Sequence, residues 1–164
     1  MLDKLLTLCQ TELEGLLTQP EIWSGLLINR RKPETVRLWT PYEDGRLCLH
    51  RFSPCDDSEA LAHPHPWPAA FMVLAGAYRL HLGIGSAMPH QLILARGGAY
   101  EIITPSAWHS VAPLCETWTV MLNGADYAAP DKAVRRTAGK GLETLTDARK
   151  RIELDVICDI IGGG

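Results

Sequence analysis

The stretch His63-Pro64-His65-Pro66-Trp67-Pro68-Ala69-Ala70-Phe71-Met72-Val73-Leu74-Ala75-Gly76 decides how this chain is read. It opens with two imidazoles at i and i+2 and runs into an apolar segment that ends at a glycine. On an extended backbone, side chains at i and i+2 point to the same side, so His63 and His65 can reach one ion together. Neutral imidazole ligates zinc, iron, nickel or copper, and three such ligands leave positions open for water or substrate. The candidate third ligand is His109, 44 residues beyond His65 in Thr104-Pro105-Ser106-Ala107-Trp108-His109. Taken alone, H-x-H also describes a turn with two exposed histidines, and the surrounding pattern has to choose.

Outward from this stretch, β-prone runs fall at 36–39, 46–52, 70–82, 91–94, 99–104 and 116–122. Turn-rich pieces such as Tyr42-Glu43-Asp44-Gly45 and Arg96-Gly97-Gly98 separate them. Many short strands with frequent turns predict an all-β sandwich or barrel rather than alternating β-α units. Both ends carry helical periodicity. Leu2, Leu5, Leu6, Leu13, Leu16 and Leu17 form a stripe that Pro20 stops, and Leu142, Leu145, Ile152, Val156, Ile157 and Ile160 form another. Such stripes dock on a core, and a dimer contact is the sharper alternative. The expected plan is one domain over 1–164: a helix at about 1–19, a barrel at about 34–126 and a helix at about 142–161. The piece at 128–141 reads as a surface connection.

Composition excludes several classes. The 164 residues suffice for one domain with a sizeable core, and 46% hydrophobic against 21% charged residues rules out a disordered chain. Net charge is −3 and basic residues gather only in short groups such as Arg30-Arg31-Lys32, so no nucleic-acid partner is expected. No apolar run approaches the roughly 20 residues of a membrane helix, so no membrane partner is expected either. The first residues lack the layout of a signal peptide. Five scattered cysteines, Cys9, Cys48, Cys55, Cys115 and Cys158, form no C-x-x-C pair, which argues against a disulfide framework and for a cytoplasmic protein.

With those features in place, the region from about Arg46 to Asn123 resembles the cupin superfamily. Its two signatures are G-x5-H-x-H-x3,4-E-x6-G and G-x5-P-x-G-x2-H-x3-N. His63, His65 and Gly76 match the first at the expected offsets, and Gly98 and His109 match the second. The resemblance implies an RmlC-like jelly roll, a double-stranded β-helix, here with a helix at each end. The context Leu49-His50-Arg51-Phe52, then His-x-His-Pro-Trp, is similar to a bacterial and phage cupin subgroup. Departures are as informative. Ala69 stands at the glutamate ligand's position, Asp57 replaces the first glycine, Thr104 and Ser106 replace the second motif's proline and glycine, and Pro113 replaces its asparagine. The implied site therefore looks like the three-histidine iron(II) centre of thiol dioxygenases rather than a carboxylate-containing manganese centre.

The expected metal ligands are His63, His65 and His109, and the expected cofactor is a divalent ion, Fe(II) for catalysis with Zn or Ni as alternatives. His50, Tyr78, Arg79, Arg96, Glu101 and Trp118 are candidates for a second shell or pocket, Arg79 and Arg96 as holders of an anionic group. Each has a plainer reading as a packed or exposed side chain. No residue is assigned a catalytic role beyond the metal. The expected function is a metal-binding cupin, a non-haem iron(II) oxygenase acting on a small anionic or thiol-containing molecule. The alternative is a non-catalytic ligand-binding or regulatory cupin holding zinc, nickel or no metal. A homodimer is the expected assembly.

Overall fold

The computed structural model describes residues 1–85, 87–125 and 141–163. The connection expected at 128–141 lies outside the described residues except for Gly141. The helices are α1 (Leu2–Thr11), α2 (Leu13–Leu17) and α3 (Asp147–Gly162), with a 3-10 turn at Pro20–Ile22. The strands are β1 (Ser24–Ile28), β2 (Thr35–Tyr42), β3 (Gly45–Phe52), β4 (His63–Pro64), β5 (Ala69–Ala75), β6 (Ala77–Ile84), β7 (Ala87–Ala95), β8 (Ala99–Ile102), β9 (Ala107–Pro113), β10 (Thr117–Asn123) and β11 (Leu142–Thr144). They form a seven-stranded sheet ordered β11-β1-β2-β3-β10-β5-β8 and a four-stranded sheet ordered β4-β9-β6-β7, antiparallel throughout. The architecture is a jelly-roll sandwich with helices at the termini.

Gly76 is the corner between the sheets. The single β-prone run at 70–82 is two strands, β5 in the large sheet and β6 in the small one, and Gly76 turns the chain between them at φ +81. A Cβ there would stand 2.4 Å from the Glu116 carbonyl oxygen, so only glycine fits both the conformation and the close approach.

The outer face of the seven-stranded sheet is apolar. Leu5 and Leu8 of α1, Leu13 and Leu17 of α2, and Leu154 and Ile157 of α3 pack on Val36, Leu38, Leu47, Leu49, Val120 and Leu122. Burying each leucine contributes about 1.5–3 kcal/mol. A forked ion pair fastens α3 to β3: Arg51 donates through Nε and Nη2 to the buried Glu153 carboxylate at 3.0 and 2.8 Å. Two boundaries differ from expectation. The first helix breaks at Glu12, and the last begins at Asp147, where Thr146 caps it by accepting from the Arg149 amide at 3.2 Å. Leu142–Thr144 instead pairs with β1 as the edge of the large sheet, and β1 itself carried too few β-branched residues to be recognised.

Candidate metal centre

Register places the three histidines together. β4 is only two residues long and pairs with β9 so that His63 stands opposite His109, while His65 follows two residues on and turns to the same side. His109 Nε2 lies 2.8 Å from His65 Nε2 and 3.1 Å from His63 Nε2. One proton on His109 Nε2 can serve only one of these contacts, whereas a cation among the nitrogens serves all. Two nitrogens about 2.1 Å from one ion and at right angles to each other stand about 3 Å apart, so the spacing fits a divalent metal. The group is the one candidate metal cluster among the described residues.

The surroundings prepare these rings as ligands. His63 Nδ1 donates to the Leu61 carbonyl at 3.1 Å, which leaves its Nε2 as the bare lone pair. His109 Nδ1 meets the Tyr100 hydroxyl at 2.9 Å, and Tyr100 in turn hydrogen-bonds Tyr78. Such partners fix ring orientation and tautomer. Desolvation by burial holds His65 neutral, its pKa lowered to about 3, and the neighbouring His63 adds to the effect. Burial lowers His109 as well, helped by His65 and His63. Neutral imidazoles are what a metal requires. Ala69, at the position where cupins carry glutamate, is fully buried against Cys48, Phe71, Ile102 and Met121. It offers no fourth ligand.

The histidines stand in a cleft of roughly 600 Å³ counted out to its mouth, walled in part by Phe52, Phe71, Val111 and Met121. Of the other sequence candidates, His50 and Tyr78 line it. The other four do not. Arg79 pairs with Asp57 at 2.7 Å, and Arg96 reaches the Ile160 carbonyl at the end of α3. Glu101 holds the Leu2 amide at 2.9 Å and the N-terminal ammonium at 3.5 Å. Trp118 faces the helices, with the Arg51 guanidinium 5.7 Å from its ring centre. Alternation along β6 gave Arg79 a face but not the identity of the opposing residue. The cations that do line the cleft are Arg31, Lys32 and Arg37, which sequence reasoning passed over. Arg31 and Lys32 showed in the sequence only as part of a short basic group, and Arg37 only as a charged residue within a β-prone run.

Comparison by sequence finds no matching protein-family model and no matching curated protein. Comparison by structure finds hydroxypropylphosphonic acid epoxidase from S. wedmorenis, with TM-score 0.52 and 12% identity over 61% of this chain and 55% of that one. Fe(II) HppE in complex with substrate gives TM-score 0.53 and 13% identity over 63% and 57%. Fe(II)-HppE with the alternative substrate (S)-1-HPP gives 0.53 and 12% over 61% and 55%. The fold is the cupin fold. The chain spans little more than half the length of these structures, and at such identity the likeness concerns the fold alone. Among the described residues, no helix is long and apolar enough to cross a membrane.

Proposed function

We propose that this cupin is a mononuclear metalloenzyme, a non-haem iron(II) oxygenase acting on a small anionic or thiol-containing molecule. The observation that carries the reading is the convergence of three imidazole Nε2 atoms at 2.8 and 3.1 Å inside an open cleft. His63, His65 and His109 would hold the ion, and an iron ion bound there would supply one-electron and dioxygen chemistry. The chain does the rest. Leu61 and Tyr100 hold two of the rings in their liganding tautomers, and Phe52, Phe71, Val111 and Met121 give the cleft an aromatic and aliphatic wall. Tyr100, kept neutral by burial, accepts from His109 Nδ1 and directs its own hydroxyl proton to Tyr78.

The test is oxygen uptake by the Fe(II)-loaded chain against a panel of small carboxylates and thiols, with His109→Ala as control. Uptake that depends on both substrate and His109 supports the reading. Stoichiometric metal binding with no uptake for any panel member favours the second reading, a ligand-binding module holding zinc or nickel. The all-nitrogen donor set speaks for that alternative, because zinc and nickel bind imidazole more tightly than iron(II) does.

A further inference from the structure

We propose that two copies of this chain pair through β7, antiparallel and edge to edge, so that their four-stranded sheets join into one. β7 is the edge opposite β4, and none of its residues lines the cleft, so the pairing surface is separate from the three histidines.

A sheet edge presents a row of unpaired backbone N–H and C=O groups, and folded proteins blunt such edges with short strands, charges or covering segments. Three of the four edges here are short: β11 has three residues, β8 four and β4 two. β7 has nine, Ala87 to Ala95, and all but Met88 and Leu94 are exposed. Its sequence, Ala-Met-Pro-His-Gln-Leu-Ile-Leu-Ala, holds no Asp, Glu, Lys or Arg. Pro89 removes one backbone donor near the start, and from His90 onward every residue keeps its own. Among the described residues, the one strand paired with β7 is β6.

The side chains along this edge are apolar on both faces. Leu92 stands opposite the buried Leu80 and Ile93 opposite Arg79, so they point to opposite sides of the sheet, 49% and 65% exposed. A strand added at β7 would cover both. Length and symmetry select that strand. The other edges of this chain are too short to match nine residues, whereas the β7 of a second copy matches in full. A two-fold axis perpendicular to the sheet sets β7 against itself antiparallel, with Leu92 and Ile93 near the axis and beside their own copies. The strand carries no formal charge, so self-pairing opposes no like charges. It also consumes the one long edge on each copy, and association stops at two. The seam is about 30 Å long and about 10 Å deep, small beside the roughly 800 Å² per partner of a standard interface. Backbone pairing therefore supplies much of the attraction, and dimerisation should depend on concentration in the micromolar range.

Sedimentation velocity on the full chain, from low to high micromolar, tests the pairing. The wild type should pass from monomer to dimer and go no further. Leu92→Lys and Ile93→Lys, both at exposed positions, should stay folded, keep their metal uptake and weaken association about tenfold or more. Ile152→Lys, at an exposed apolar position on α3, should dimerise like the wild type. With oxidised glutathione as oxidant, Leu92→Cys or Ile93→Cys should form an intermolecular disulfide well beyond any formed by the wild-type thiols, and Ile152→Cys should not. A wild type that stays monomeric, which leaves the edge to an extended segment of another protein, overturns the inference. So does growth beyond two copies, a dimer that survives both lysine substitutions in β7 or is lost in Ile152→Lys, or the lack of a crosslink at both Leu92 and Ile93. A dimer with the expected responses in a chain that takes up no metal sustains the inference and breaks the metalloenzyme reading.

Discussion

Along β10 the side chains alternate between two environments. Trp118, Val120 and Leu122 lie against the helices, whereas Thr119 and Met121 face the cleft. The neighbouring strands repeat the division, with Val36, Leu38, Leu47 and Leu49 outward and Thr35, Arg37, His50 and Phe52 inward. The backbone is shared, so the contrast isolates what side chains add. Outward, nearly every group is apolar and its contribution is nondirectional. Inward, polar groups sit behind apolar ones, and each is held by a partner at hydrogen-bond distance. One face stabilises the sheet, and the other uses that stability to keep charged and liganding groups where water alone would not leave them.

That division is broken most sharply at the histidines. His63→Ala, His65→Ala and His109→Ala should each lose most bound metal while remaining folded, because two ligands hold a divalent ion far more weakly than three. His90→Ala, on the exposed β7, should keep a full complement. Elemental analysis of the purified variants reads this directly, and metal retained by any of the first three removes that residue from the site. The converse change is Leu49→Ala on the outer face. It should cost about 2–5 kcal/mol in urea denaturation and leave metal affinity of the folded protein unchanged.

Acid should act on the buried histidines of the inner face. Desolvation keeps His65 neutral down to about pH 3, whereas an unfolded histidine titrates near pH 6.5. Between these values the unfolded chain binds a proton that the folded chain refuses. The stabilisation is therefore complete above about pH 6.5 and drains as pH falls, by about 1.4 kcal/mol per pH unit for each such histidine. From pH 6.5 to pH 5, His65 alone accounts for about 2 kcal/mol. Metal affinity should fall over the same window, since protons compete for the same nitrogens. Melting temperature and metal occupancy that both stay flat from pH 7 to pH 5 would falsify the assignment of neutral imidazole ligands. The smallest effect is expected for Tyr100→Phe, which removes the hydroxyl beside His109 Nδ1 and should weaken metal binding about tenfold in a chelator competition.

How much of this was legible before folding depends on the range of the interaction. Helical periodicity at both ends, the alternation of short strands with turns, and the offsets linking His63, His65, Gly76, Gly98 and His109 are properties of the linear chain. They carry the jelly-roll plan and bring the three histidines to notice. What the chain hides is register. That Arg37 faces His50 and His50 faces Thr119 depends on which residues of β2, β3 and β10 stand opposite, and a slip of one residue would turn all three to the helices. For the same reason Arg79 and Glu101 stood out in the sequence although Asp57 and the chain's own amino terminus occupy them. The two leucines Leu142 and Leu145 fit a helical stripe and a strand equally well, and the Thr146 cap decided between them.

The brevity of β4 carries a consequence of its own. Two of the three Nε2 donors sit on or just beyond a strand of two residues, and the third sits on a seven-residue strand stitched to β6 along its whole length. An ion bridging them is therefore a clasp between a loose edge and a firm one. Loading it should slow amide exchange and proteolytic nicking across residues 53–66 far more than it raises the melting temperature of the whole barrel. The signature of occupancy in this protein is local, written in the kinetics of one short segment.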